Sequence, residues 1–163
     1  MIACLDADYR QAGVTTACVG FTAWSDAIAA IEVVVRSPGA APDYEPGAFY
    51  KRELPYLLAA LDRMPPLDLI VVDSYVWLGP ELPGLGKILH DTRATPVVGI
   101  AKTRYNTAAA IEVVRGDSKN PLFITAAGID PQTAAAHVRS MHGEFRIPTL
   151  IKRADSLARG HAQ

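Results

Sequence analysis

The chain has 163 residues, half of them hydrophobic and a fifth charged, with a net charge of −1. That balance suits one globular domain with a sizeable core and argues against extended disorder. It also argues against a broad basic surface that would bind nucleic acid by charge alone, and no apolar stretch approaches the roughly 20 residues that span a bilayer. The N-terminus, MIACLDADYR, carries no basic region ahead of a signal-type segment. A cytoplasmic protein with no membrane role is expected.

Met1 to Leu5 reads as a short apolar strand ending in Asp6. Gly13 to Phe21 is apolar and β-branched, and Ala27 to Arg36 contains Ile31, Val33, Val34 and Val35. Short polar turns, Tyr9 to Ala12 and Trp24 to Asp26, join the three as an antiparallel meander. Cys4 and Cys18 sit in these runs and read as reduced core residues. Ser37 to Gly47, rich in Pro, Gly and Ala, is loop. Leu54, Leu57, Leu58 and Leu61 fall at helical spacing and predict a helix from Ala48 to Arg63, kinked or divided at Pro55.

Leu67 to Val72 is a continuous apolar run between Pro65-Pro66 and Asp73, a buried strand parallel to the first. Leu78 to Gly86 is a Gly/Pro loop leading into a short helix that ends near His90 or Asp91. Pro96 to Ala101 is the next buried strand, and Ala109 to Arg115 with Leu122 to Thr125 form a further pair. Asp130-Pro131 opens a helix, Asp as N-cap and Pro at the first position, with Ala134, Val138 and Met141 on its apolar face. A last helix begins near Pro148. The expected class is α/β: three antiparallel strands, then parallel strands, in one mixed sheet flanked by helices. Residues 1–157 read as a single domain and 158–163 as a flexible tail.

Asp6 and Asp73 both follow buried strands. If those strands are neighbours, the two carboxylates lie side by side. Buried and unpaired, each would be costly, and together they repel unless a cation sits between them. Oxygen ligands of this kind suit Mg²⁺ or Mn²⁺, which leave positions for phosphate oxygens and water. From spacing alone, two acids that merely cap turns are the favoured reading. The four histidines have no metal-ligand spacing, Ser74 has no His partner for nucleophilic work, and Gly79 to Gly86 lacks the Gly-Lys-Ser/Thr of a phosphate loop. Lys51-Arg52, Arg104, Arg115, Lys152-Arg153 and Arg159 form either a basic rim or an ordinary solvated scatter.

Several segments, taken in order, carry more. Tyr44-Glu45-Pro46-Gly47-Ala48-Phe49-Tyr50-Lys51-Arg52-Glu53 has a Tyr-x-Pro-Gly loop, then an apolar pair and Arg-Glu. Leu5-Asp6-Ala7-Asp8-Tyr9 and Ile70-Val71-Val72-Asp73 are strands ending in Asp. Thr95 to Thr103 reads TPVVGIAKT, Pro121 to Thr125 reads PLFIT ahead of Asp130, and Arg146 to Ala154 reads RIPTLIKRA. In type and order these motifs resemble the endonuclease V family across most of the chain. The resemblance implies a ribonuclease H-like fold and cleavage of a phosphodiester near a deaminated base such as inosine, in DNA or RNA. It implies that Asp6, Glu53 and Asp73 hold Mg²⁺ or Mn²⁺, and that Lys102 contacts phosphate or orients the attacking water. It further implies that Tyr44 and Pro46 belong to a wedge beside the damaged base, while Gly47 keeps that loop's backbone close to the strand.

The chain departs from the family pattern after Asp73. The positions of the family's His and Arg are Gly79 and Glu81, with Pro80 kept between them. A later Gly-His is absent from Ala126 to Asp130, the stretch between Lys102 and Pro121 is short, and the family's N-terminal helix before the first Asp has no counterpart. A catalytically impaired descendant that binds nucleic acid or a protein without cutting is the second expectation. A phosphoesterase acting on small nucleotides is the third.

Overall fold

The computed structural model describes residues 1–39 and 49–161. Strands β1 (Ile2–Arg10), β2 (Gly13–Phe21) and β3 (Ile31–Pro38) form the expected antiparallel meander. Helix α1 (Phe49–Leu61) follows with Pro55 inside it, and β4 (Leu69–Val72) pairs parallel to β1 from Ile2↔Leu69 to Leu5↔Val72. A small hairpin, β5 (Trp77–Gly79) and β6 (Leu82–Pro83), precedes α2 (Leu85–Arg93). Strand β7 (Val97–Ala101) lies parallel to β4. Then β8 (Ile111–Val113) and β9 (Leu122–Ala127) pair antiparallel, with β9 also antiparallel to β7. Helices α3 (Pro131–Ser140) and α4 (Thr149–Ala158) complete the described chain. The main sheet runs β3-β2-β1-β4-β7-β9-β8.

Period-two alternation divides the core between the two faces of this sheet. Ile2, Cys4, Val19 and Val71 pack under α3 and α4 with Val138, Leu150 and Ala154. Ala3, Leu5, Cys18, Ile70 and Val72 pack under α1 and α2 with Leu57, Leu61 and Leu89. Cys4 and Cys18 are thus on opposite faces, free and buried, as core residues. The cap read from Asp130-Pro131 is present: the Asp130 carboxylate accepts the Thr133 N–H at 2.8 Å.

Of the differences from the sequence reading, three concern how the chain packs. Strand β1 does not stop at Leu5; beyond β4's end it stays paired with the longer β2, from Asp6↔Ala17 to Arg10↔Gly13. Ala158 is buried as the last residue of α4, and Arg159 caps that helix through its N–H, so the packed chain reaches past residue 157. Arg115 belongs to no surface rim. It is 6% exposed, and its guanidinium donates to the carbonyls of Met141, Gly143 and Phe145, which lie between α3 and α4.

Candidate active site

β4 ends at Val72, while β1 beside it continues to Arg10. The missing continuation leaves a notch at the carboxyl end of β4, where open α/β sheets commonly present their sites. Pairing of β1 with β4 ends at Leu5↔Val72, so Asp6 and Asp73 are the next residues on adjacent parallel chains. Glu53 arrives from α1. Leu57, one turn further along, is 3% exposed and locks that helix face onto the sheet, which holds Glu53 over the same notch. Asp6, Glu53 and Asp73 line one cavity of about 70 Å³, with Leu57 and Ser74 among its walls.

The electrostatics of this cavity are those of crowded, partly desolvated anions. Burial pushes the Asp6 carboxyl up to about 7, and the Asp73 charge adds to the rise; the Ala7 N–H, donated to Asp6 Oδ1 at 2.9 Å, works against it. Burial also raises Glu53 to about 7. The Tyr9 hydroxyl, buried near Glu53 without a formed hydrogen bond, favours its charged form, as does the Arg52 guanidinium, while Asp6 and Asp73 oppose it. Arg52 itself lies over the Tyr9 ring, 4.8 Å from its centroid. Lys102, the residue after β7, supplies a counter-charge through an ion pair between its Nζ and Asp73 Oδ2. The two side chains are 39% and 25% exposed, so the pair contributes at most about 1 kcal/mol to stability.

The segment after Asp73 is pinned from below. The Val76 N–H donates to Thr125 Oγ1 at 2.8 Å, and the Tyr75 hydroxyl donates to the Thr103 carbonyl at 2.8 Å while accepting the Tyr105 N–H at 3.0 Å. Tyr75 thereby ties the chain after Asp73 to the chain after Lys102. Gly99 makes this possible, because a Cβ there would stand 2.4 Å from the Ser74 carbonyl oxygen. Sequence reading singled out none of Tyr75, Gly99 and Thr125 for the site. It also passed over Asp155 on α4, whose charge bears on Asp6 and adds to its rise. Asp155 is paired with Arg159 at 2.8 Å, four residues on, and from sequence that spacing looks like an ordinary solvated helix pair.

The donors are of the right chemistry for a hard divalent cation: carboxylate oxygens whose mutual repulsion only a positive charge relieves. Among the described residues, though, no three Asp, Glu, His or Cys side chains are placed as they stand to hold a metal ion. By strand alternation Asp6 shares the face of Cys4, under α4, whereas Glu53 comes from α1 on the opposite face. Tyr44, Pro46 and Gly47 lie outside the described residues. Gly79 is buried in β5, and Glu81 is exposed in the turn before β6. His137 stacks on Trp24, with ring centroids 4.8 Å apart, and His90 Nδ1 bonds the Thr95 carbonyl; both are packing residues. No helix among the described residues is long and apolar enough to cross a membrane.

Comparison with known proteins places this geometry. The family profile described as Endonuclease V matches residues 1–113. Endonuclease V of Streptomyces avermitilis is 33% identical over 71% of this chain and 60% of its own length, and that of Streptomyces coelicolor is 30% identical over 71% and 59%. The chain therefore spans about three-fifths of the curated relatives it matches. The crystal structure of the S. avermitilis endonuclease V superposes with a TM-score of 0.78 at 26% identity, covering 98% of this chain and 79% of that one. Endonuclease V of Ciona intestinalis, solved in complex with a DNA containing an inosine followed by a ribo-adenosine, shares the fold at a TM-score of 0.79, with 14% identity over 98% of this chain and 83% of that one. The mixed sheet with helices on both faces is the ribonuclease H-like arrangement that the motifs implied. From residues 1–113 and the superposed sheet together, the chain belongs to the endonuclease V family.

Proposed function

We propose that this chain hydrolyses a phosphodiester bond near a deaminated base such as inosine, in a DNA or RNA strand, at the cavity walled by Asp6, Glu53 and Asp73. One observation carries the reading: three acids from β1, α1 and the end of β4 line a single cavity, with the Lys102 ammonium at Asp73. Membership of the family and the inosine-containing DNA bound to the Ciona relative support the substrate class.

Asp6, Glu53 and Asp73 would hold a divalent cation, Mg²⁺ or Mn²⁺, with Asp155 beside Asp6 as a fourth acid. Such an ion supplies polarisation of the phosphate and eases deprotonation of the attacking water. Asp6 and Glu53, both raised to about 7, give up their protons on cation binding, so affinity rises with pH through neutrality. The Lys102 ammonium, now paired with Asp73, would screen the charge that builds on the phosphate oxygens. The segment Tyr44-Glu45-Pro46-Gly47 stands just ahead of α1 in sequence, with Ala48 between, and would serve as the wedge at the damaged base, its Tyr ring stacking and its Pro stiffening the backbone. The chain acts as one domain in this reading.

The test is nicking of inosine-containing DNA and RNA strands, with matched strands lacking inosine, in Mg²⁺ and in Mn²⁺. Cuts confined to the inosine strands and abolished by chelation are expected. Absence of cutting in either polymer, with cation binding intact, rejects the substrate assignment.

Binding without cleavage is a second reading. It is favoured by Gly79 and Glu81 at the family's His and Arg positions, and by Lys102 already neutralising Asp73. Retention of the inosine strand, unaffected by Mg²⁺ and without nicking, selects it.

A further inference from the structure

A second cavity, of about 880 Å³, adjoins the site on its α4 side. Lys102 and Asp155 line it. Both also belong to the acid cluster, Lys102 through Asp73 and Asp155 through Asp6. A group seated here therefore lies beside Lys102 and Asp155, at the edge of the candidate active site. Its far wall is the loop between α3 and α4, where Phe145 is 71% exposed. One exposed Phe means little by itself. This one stands in the wall of a cavity large enough for a nucleoside, on a backbone that is held in place. The Phe145 carbonyl accepts from buried Arg115 at 2.9 Å, and the neighbouring Arg146 guanidinium donates to the carbonyls of Pro121, at 2.8 Å, and Lys102. A ring presented on rigid backbone loses little entropy when something stacks on it.

The charges select what enters. Asp117, Glu144 and Asp155 are carboxylates on the wall. Of the cations, Lys102 is engaged by Asp73 and Arg146 by backbone carbonyls, which leaves Lys152 alone against three carboxylates. A phosphate is thus disfavoured, whereas a flat, neutral base has a face for Phe145 and N–H groups for the carboxylates.

We propose that this cavity is a subsite for one nucleobase of the substrate strand, stacked on Phe145. The inference rests on the nuclease reading above.

Single-stranded inosine oligonucleotides with 2-aminopurine at each flanking position in turn, bound to the full chain in Ca²⁺, test it by fluorescence. Quenching at one flanking position is expected with the wild-type chain. Phe145→Ala should restore the emission there and weaken binding about tenfold, Phe145→Trp should keep both, and the melting temperature of each variant should stay within a degree or two of wild type. Equal quenching and affinity in wild type and Phe145→Ala overturns the inference, as does absence of quenching at every position. Nicking of the same strands in Mg²⁺ is scored separately. Quenching that depends on Phe145 without nicking rejects the nuclease reading and upholds the stacking site. Nicking indifferent to Phe145→Ala rejects the stacking site alone.

Discussion

Asp6→Asn separates the electrostatic cost of the candidate site from its chemistry. Burial, aided by the Asp73 charge, carries the Asp6 carboxyl from its ordinary 3.8 to about 7. At 1.36 kcal/mol per pH unit, holding Asp6 ionised costs the fold at most roughly 4 kcal/mol. Part of the site is solvated, so about 2 kcal/mol is expected. The direction follows from proton counting. Between about pH 4 and 7 the folded chain keeps a proton that the unfolded chain has lost, so stability falls as pH rises through this window and stays low above it. Glu53, also raised to about 7, adds to the same trend. Asp26, Glu32 and Asp130 are lowered instead, by N–H and guanidinium donors, and their stabilisation is lost only on acidification below the ordinary carboxylate range. Urea unfolding between pH 5 and 8 therefore isolates the site. The wild-type chain should lose stability across that interval without divalent cations, and Asp6→Asn should be about 2 kcal/mol more stable than wild type at pH 8. The asparagine oxygen still accepts the Ala7 N–H, so packing is kept. Wild-type stability that holds or rises from pH 5 to 8, or a variant no more stable at pH 8, refutes the reasoning.

Three further outcomes are expected. Arg115→Met keeps bulk but leaves the carbonyls of Met141, Gly143 and Phe145 without their buried donor; a loss of about 3 kcal/mol in urea unfolding is expected, and a loss under 1 contradicts the assigned role. Gly99→Ala would place a Cβ 2.4 Å from the Ser74 carbonyl and 2.8 Å from Thr125 Oγ1. Overpacking of this kind costs about 1–3 kcal/mol, and nicking should fall with it because the Asp73 turn shifts; a fully stable, fully active variant contradicts the pinning of that turn. Tyr9→Phe removes the hydroxyl that favours ionised Glu53, so the acid limb of the pH–rate profile should move to higher pH by about half a unit to one unit, and an unmoved limb denies Tyr9 that part.

The layout of the sheet was legible because its strands carry different signatures. Gly13–Phe21 is β-branched between turn residues, and the apolar runs of β4 and β7 can only be strands buried on both faces. Asp130-Pro131 announced α3 through its cap. Other features leave no local trace. Strand β1 outlasts β4 because β2 is long enough to keep pairing with it, a property of the partner strand. The β5–β6 hairpin lies in a Gly/Pro-rich stretch whose composition reads simply as loop. Arg115 looks like any surface cation until the carbonyls between α3 and α4 surround it. Of the candidate site, Asp6, Glu53, Asp73 and Lys102 were proposed as a set by motif order, and the structure brings these side chains to one end of β4. Asp155 escaped because its i,i+4 partner Arg159 supplies a sufficient reason for an acid at that position. A clue was nonetheless present: Ile151, Ala154 and Ala158 form the buried face of α4, which packs on β1 and β2, and Asp155 borders it.

The central claim is that acids from three separate elements share one divalent ion. A crystal of the full chain soaked in Mn²⁺ and recorded at the manganese absorption edge addresses it directly. Anomalous density touching the carboxylates of Asp6, Glu53 and Asp73, with the Lys102 ammonium displaced from Asp73, is the expected result. Well-ordered acids without such density, at a Mn²⁺ concentration that supports nicking in solution, would contradict it.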